Sequence, residues 1–213
     1  MYPPPLAAAL SGATPAQLAH WRRQPPVLEP TYRDGSRVYY SFADVVALRS
    51  LVYLREQEGL SLQAIRKAIN NAKDLGKTEH LSEYKFVKMG NTIVLAHGPE
   101  AIDVLKKPGN HVVATLVDVF DRFNSNRTGE VLPLGQPVSG VSIHRDVCSG
   151  YPVVEGTRVR YDQVSSLIKD GVAPEEITEF YPSVSASGAV GAKAFADYVS
   201  ERATRGPLEQ AAG

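Results

Sequence analysis

Four arginines and a histidine set the chemistry open to the front of this 213-residue chain. His20, Arg22 and Arg23 lie together, and Arg33 and Arg37 flank Asp34-Gly35-Ser36. Arginine stays charged and presents a planar fork of donors, which matches both phosphate oxygens and guanine edges. Thr14, Gln17 and Tyr39 add hydroxyl and amide groups that pair with the same partners. The candidate nucleic-acid contacts are therefore Thr14, Gln17, His20, Arg22, Arg23, Arg33, Arg37 and Tyr39.

These residues need a helix and a hairpin to hold them, and the sequence supplies both. Thr14 is a natural N-cap with Pro15 at the first helical position, which predicts a short helix over about 15–23 after a first helical piece at Leu6–Leu10. Leu18 and Trp21 lie three apart and form its core face, leaving Gln17, His20, Arg22 and Arg23 to project elsewhere. Pro25-Pro26 stops the helix. Val27-Leu28 and Val38-Tyr39-Tyr40 then flank an Asp-Gly turn of the kind that closes hairpins. Ser41 with Asp44 is a capping-box variant opening a helix that runs to Gly59, and Ser61 opens another with Leu62, Ile65, Ile69 and Leu75 on its apolar side. The order helix, helix, hairpin, helix, helix is that of a winged helix-turn-helix.

On these residues the front resembles the DNA-binding domain of the MerR family of transcriptional regulators. The matching strings are Asp34-Gly35-Ser36-Arg37-Val38-Tyr39, Ser41-Phe42-Ala43-Asp44 and Glu58-Gly59-Leu60-Ser61-Leu62-Gln63-Ala64-Ile65, with their spacing kept. Two departures are visible. Ala19-His20-Trp21-Arg22 replaces the family's Arg-Tyr-Tyr-Glu string, and no long dimerisation helix follows.

Near the other end, Gly150-Tyr151-Pro152-Val153-Val154-Glu155-Gly156-Thr157-Arg158-Val159 predicts a short strand pair, and Tyr161-Asp162 opens a helix to Asp170. Gly171 ends it, Pro174-Glu175-Glu176-Ile177 begins a second, and a third runs from about Ser185 to Glu201. This segment resembles the family catalogued as domain of unknown function 433, through Gly150, Pro152, Gly156, Thr157, Arg158, Gly171, Glu175, Glu176, Ile177, Tyr181 and Pro182. A MerR-like reader joined to this module resembles antitoxins of VapBC-type pairs, whose toxin is a PIN-domain ribonuclease. The resemblance implies an antitoxin that blocks its toxin and represses its own operon, so the implied partners are a PIN-domain toxin and operator DNA, in a homodimer or a hetero-oligomer with toxin. Antitoxins of this type commonly offer an arginine to the toxin's carboxylates, which makes Arg202 and Arg205 candidates, with charge-assisted pairing as the physical reason; a solvated tail is the alternative. Arg158 reads equally as a toxin contact or as a structural ion pair.

Net charge is zero but divided: ten Lys and Arg against six Asp and Glu give +4 for residues 1–77, with −1 for 78–140 and −3 for 141–213. A basic front suits phosphate and an acidic back a protein partner. The sequence has no membrane-length apolar run, no signal-peptide pattern and a single cysteine, Cys148, so a cytoplasmic location is expected. Cys148 reads as a small, half-buried side chain, and His144 four residues before it does not make a metal site. No phosphate loop, metal cluster or nucleophile motif is present, so neither enzyme activity nor a cofactor is expected.

The middle starts with a polar link over Asn70–Glu83. Tyr84–Lys88 and Thr92–Leu95 around Gly90-Asn91 predict a hairpin, and Pro99–Lys107 a short helix. Val112, Val113, Leu116, Val119, Phe120 and Phe123 recur at three and four, predicting an amphipathic helix whose stripe is either core or a dimer face. The expected fold is thus mainly α with small β-hairpins (α+β). Its parts are a winged helix-turn-helix at 1–77, a hairpin and helix at 78–125, a Pro- and Gly-rich linker at 126–140, a three-helix module at 141–201 and a polar tail at 202–213. The rival function is a stand-alone MerR-like regulator whose back half binds an effector or a second copy.

Overall fold

The computed structural model describes residues 1–23, 26–74, 80–89, 92–96, 110–114 and 116–204. Pro4–Ser11 forms α1, with prolines in its first turn where the missing N–H groups cost nothing. Leu6 through Ser11 are all buried, so α1 is covered on every side. It packs against α3 (Phe42–Glu56) and against the long last helix, α8 (Ala186–Thr204). Its alanines leave room for both neighbours. Gly12 ends α1 at φ +77°, and a Cβ there would stand 2.5 Å from a Val131 methyl, so only glycine fits.

The two predicted caps are present. Thr14 opens α2 (Pro15–Trp21), with Gln17 N donating to Thr14 Oγ1 at 3.1 Å and Thr14 N to Gln17 Oε1 at 2.8 Å. Ser41 opens α3 with the same reciprocal pattern through Asp44. The wing is β1 (Tyr32–Asp34) paired antiparallel with β2 (Arg37–Tyr39), Arg33 opposite Val38. Its first strand is not the predicted Val27-Leu28. The two-residue turn fixes the register, placing the partners of β2 at 32–34, while Val27 and Leu28 are buried in the segment between α2 and the wing. α4 is Leu62–Asp74 and reaches into what reads as a polar link. Leu75 and the predicted helix at Pro99–Lys107 lie outside the described residues.

A 3-10 turn at Leu81–Glu83 leads into a three-stranded antiparallel sheet, β3 (Lys85–Met89) between β4 (Thr92–Ala96) and β5 (Asn110–Ala114). The predicted amphipathic helix over 112–123 is therefore corrected. Val112 and Val113 belong to β5, only Leu116–Phe120 is helical (α5), and Phe123–Ser125 is strand again (β6). The three-and-four spacing came from apolar residues of successive elements, of which Val119, Phe120 and Phe123 reach the core. Phe120 meets Phe42 and Phe123 meets Tyr53 with ring centroids 6.2 and 5.5 Å apart, so these two rings of the stripe are packed inside the chain.

The expected linker at 126–140 is corrected too. It carries β7 (Gly129–Val131), paired with β6, and Val131 and Leu134 are fully buried. Prolines and glycines there shape packed turns. The back module follows as β8 (Val141–Ser142) paired with β9 (Val153–Val154), α6 (Tyr161–Lys169), α7 (Ile177–Phe180) and α8. β9 pairs with β8, and its other side meets Val159 and Arg160. One hydrophobic core runs from Tyr2 to Val199 through front, middle and back.

Candidate nucleic-acid interface

The arginines of the front divide by the ribbon they sit on. Residues opposite one another in an antiparallel pair share a face, so Tyr32, Asp34, Arg37 and Tyr39 lie on one side of the wing and Arg33 and Val38 on the other. Val38 packs on the core, which turns its side of the ribbon inward. Arg33 is nevertheless exposed, and it shares the neighbourhood of Tyr40 with Arg22 from the end of α2. Burial raises the pKa of the Tyr40 hydroxyl, against the opposing pull of the Arg22 and Arg33 guanidinium groups. Arg22, the C-cap of α2, and Arg33, on β1, thus both act on Tyr40. Arg37 stands on the outer side beside Tyr39 and the exposed Tyr32, whose rings lie 6.0 Å apart.

Not every predicted contact belongs to this surface. Thr14 is buried and both it and Gln17 are occupied in the cap, so they position α2. Trp21 is core, 2 % exposed, and fixes the inward side of the same helix. His20, Arg23, Arg33 and Arg37 are exposed, and Arg22 and Tyr39 are half-buried.

Two positioning residues are not visible in the motif. Asp44, beyond its capping role, is fully buried. Its Oδ2 accepts from Thr31 N at 2.9 Å and Ser41 N at 2.8 Å, and its Oδ1 lies 3.0 Å from His80 Nε2. Burial works to raise its pKa and is outweighed by these hydrogen bonds, from His80 first, so the carboxyl sits below its ordinary value. It anchors the strand entering the wing. Arg49, also fully buried on α3, donates to Leu10 O at 2.5 Å, Asp121 O at 2.6 Å, Leu132 O at 2.7 Å and Val119 O. The last carbonyls of α1 and α5 are helix-end acceptors without helical partners, and they suit a cation. Arg49 clamps reader, middle segment and the stretch that reads as a linker.

In the back, Arg158 is exposed and its carbonyl lies 3.6 Å from Cys148 Sγ. Cys148 is exposed rather than half-buried. Arg202 is 9 % exposed, donates to Glu130 O and lies over the Tyr198 ring at 4.5 Å, so its guanidinium is engaged within the fold and not presented on a tail. Arg205 lies outside the described residues. Tyr198 also bonds Ala9 O and Glu130 O, each at 3.3 Å, tying α8 to α1 and β7. Tyr2 pairs with Tyr40 through both backbone groups and donates its hydroxyl to Gly150 O. A Cβ at Gly150, held at φ +80°, would stand 2.6 Å from the Phe42 ring.

Comparison with known proteins agrees with this division. Residues 5–72 match the MerR HTH family regulatory protein model, and residues 141–196 match a protein of unknown function, DUF433. The chain therefore carries a MerR-type helix-turn-helix in front and a DUF433 module behind. A chain described as the X-ray crystal structure of Rv2018 from Mycobacterium tuberculosis is similar at 15 % identity, with a TM-score of 0.49, over 90 % of this chain and 96 % of that chain. No curated protein matches. Among the described residues, no helix is long and apolar enough to cross a membrane.

Proposed function

We propose that the protein is an autoregulating antitoxin of a VapBC-like pair. In this reading α2 and the wing bind operator DNA, and the back module binds a PIN-domain ribonuclease and silences it, in the cytoplasm and without catalysis of its own. The observation that carries the DNA half is the match of residues 5–72 to a MerR-type domain, with His20, Arg23, Arg33 and Arg37 exposed at the end of α2 and on the wing. The partner half is supported by the joining of that domain to a DUF433 module and by the excess of three negative charges over residues 141–213. A homodimer, or a hetero-oligomer with the toxin, belongs to the same reading, because operator half-sites are met by paired readers.

The test is co-purification with the product of the adjacent gene, a ribonuclease assay on that product with and without this chain, and a mobility shift on the DNA upstream. Expected are a stable complex, suppressed cleavage, and a shift that weakens steeply with salt. DNA binding without any complex overturns the antitoxin and leaves a stand-alone regulator. Absence of a shift at low salt overturns the reader.

A further inference from the structure

Between α4 and the segment that follows α2 lies a cleft of about 570 Å³, walled by the Val27–Glu29 segment, the end of α4, the 3-10 turn and the sheet. Its volume falls in the range of organic-ligand sites, roughly 300–1,000 Å³. Among the described residues, Leu28, Ile69 and Ala72 give apolar walls, Tyr84 and His80 contribute rings, and one cation, Lys73, is matched by one anion, Glu29. The His80 nitrogens are already engaged, Nε2 with Asp44 and Nδ1 with Ser82 Oγ at 2.9 Å, so its ring is what remains for an occupant.

We propose that this cleft binds a small, flat, net-neutral organic molecule, and that its occupancy is felt by the DNA-reading wing. The neutral class follows from the walls. They are apolar over most of their extent, and their two outer charges cancel, so an ion would leave water for little return. The route to the wing is short: the His80 ring lines the cleft and holds Asp44 Oδ1, and Asp44 Oδ2 holds Thr31 N at the foot of β1 and Ser41 N at the cap of α3. The opposite wall begins where Val27 N donates to Trp21 O at 2.8 Å, on the last residue of α2. A molecule that seats against both walls favours one setting of helix and wing, and by linkage DNA must alter its affinity in return.

The binding half stands without the reader; the coupling half rests on the front being one. The first experiment titrates the full chain, without DNA, with N-phenyl-1-naphthylamine, an uncharged fluorophore that brightens in apolar sites. Saturable one-site binding is expected, weakened at least about tenfold in Ala72→Phe, where the new ring fills the cleft. Leu28→Phe, off the helix, serves if circular dichroism shows that the first variant is unfolded. No saturable signal, or an unchanged affinity in a folded variant, overturns the site. Tighter binding of the sulfonated analogue 8-anilinonaphthalene-1-sulfonate overturns the neutral class.

The second experiment measures operator affinity with the cleft saturated by N-phenyl-1-naphthylamine. A change of about fivefold or more is expected in the native chain, which is the ordinary scale of allosteric coupling, and its loss in Asp44→Asn, a position that does not line the cleft, with probe binding kept. Unchanged operator affinity in the native chain, or undiminished coupling in Asp44→Asn, overturns the route. A chain that takes up the probe and shifts no DNA overturns the reader and the coupling with it, while the cleft stands.

Discussion

The exposed front surface and the buried interior behind it use the same residue type in opposite ways. On the reader surface, Arg23, Arg33 and Arg37 are exposed and Arg22 leans on Tyr40. In the interior, Arg49 has no exposure at all and gives its donors to four carbonyls of the front, the middle and the 126–140 stretch, while Arg202 of the back ties α8 to Glu130 O and lies over the Tyr198 ring. A cation on the surface is held in readiness for an external anion and contributes little to the fold. A cation in the interior has lost its water and depends on the oxygens around it. The difference teaches that the reader is built on a framework to which the back of the chain contributes.

The comparison breaks most readily at Arg49. Arg49→Ala leaves four carbonyls without their donor and opens a cavity, and is expected to destabilise the whole chain by about 3–5 kcal/mol. Urea unfolding measures it, and loss confined to the back module would show that the interior is not shared. Gly150→Ala follows. The added methyl meets the Phe42 ring and the Tyr2 hydroxyl in a left-handed backbone setting, for an expected loss of about 2–4 kcal/mol from strain and overpacking together. A melting temperature equal to that of the native chain would remove the argument for a tight seam there.

Asp44 sharpens the comparison from the reader side. Asp44→Asn is expected to cost about 1–3 kcal/mol at neutral pH, since the carboxylate accepts from Thr31, Ser41 and His80. Its pH dependence has a definite sign. The folded pKa is depressed below the unfolded value, near 4, so this stabilisation is complete above the unfolded value and is lost as pH falls through the lower folded one. Melting curves between pH 7 and 3 check it: the native chain should lose more stability in that acid range than Asp44→Asn. The smallest effect is at the surface. Arg37→Ala should leave stability unchanged, weaken DNA binding uniformly across sequences and reduce the logarithmic salt slope by about 1. An unchanged slope would remove Arg37 from the phosphate contacts.

What the sequence made legible is local. Thr14-Pro15, Ser41 with Asp44, and the Asp34-Gly35 turn declare themselves within four residues, because caps and tight turns are closed by neighbours in the chain. The exposed members of the reader surface follow from them directly. What was illegible depends on distant partners. Val112 and Val113 lie on a strand set by pairing with β3, and Phe123 starts another, yet their spacing imitates a helix. Pro133 and Gly135 mark turns over a core that only Val131, Leu134 and α1 reveal together. Arg49 drew no reading, and Arg202 read as a toxin contact or part of a solvated tail, because nothing near them in sequence signals burial. Thr14 and Gln17 carry a second lesson: a residue suited to touch DNA can be wholly used in capping its own helix.

The covered state of α1 bears on how such a protein can be inherited. Leu6 to Ser11 are hidden partly by α8, nearly two hundred residues later, and Tyr198 of that helix bonds the carbonyl of Ala9. Recombination that exchanged the back module for an unrelated one would uncover the first helix of the reader, so the two halves, although they match separate families, must be passed on and diversify as a matched pair.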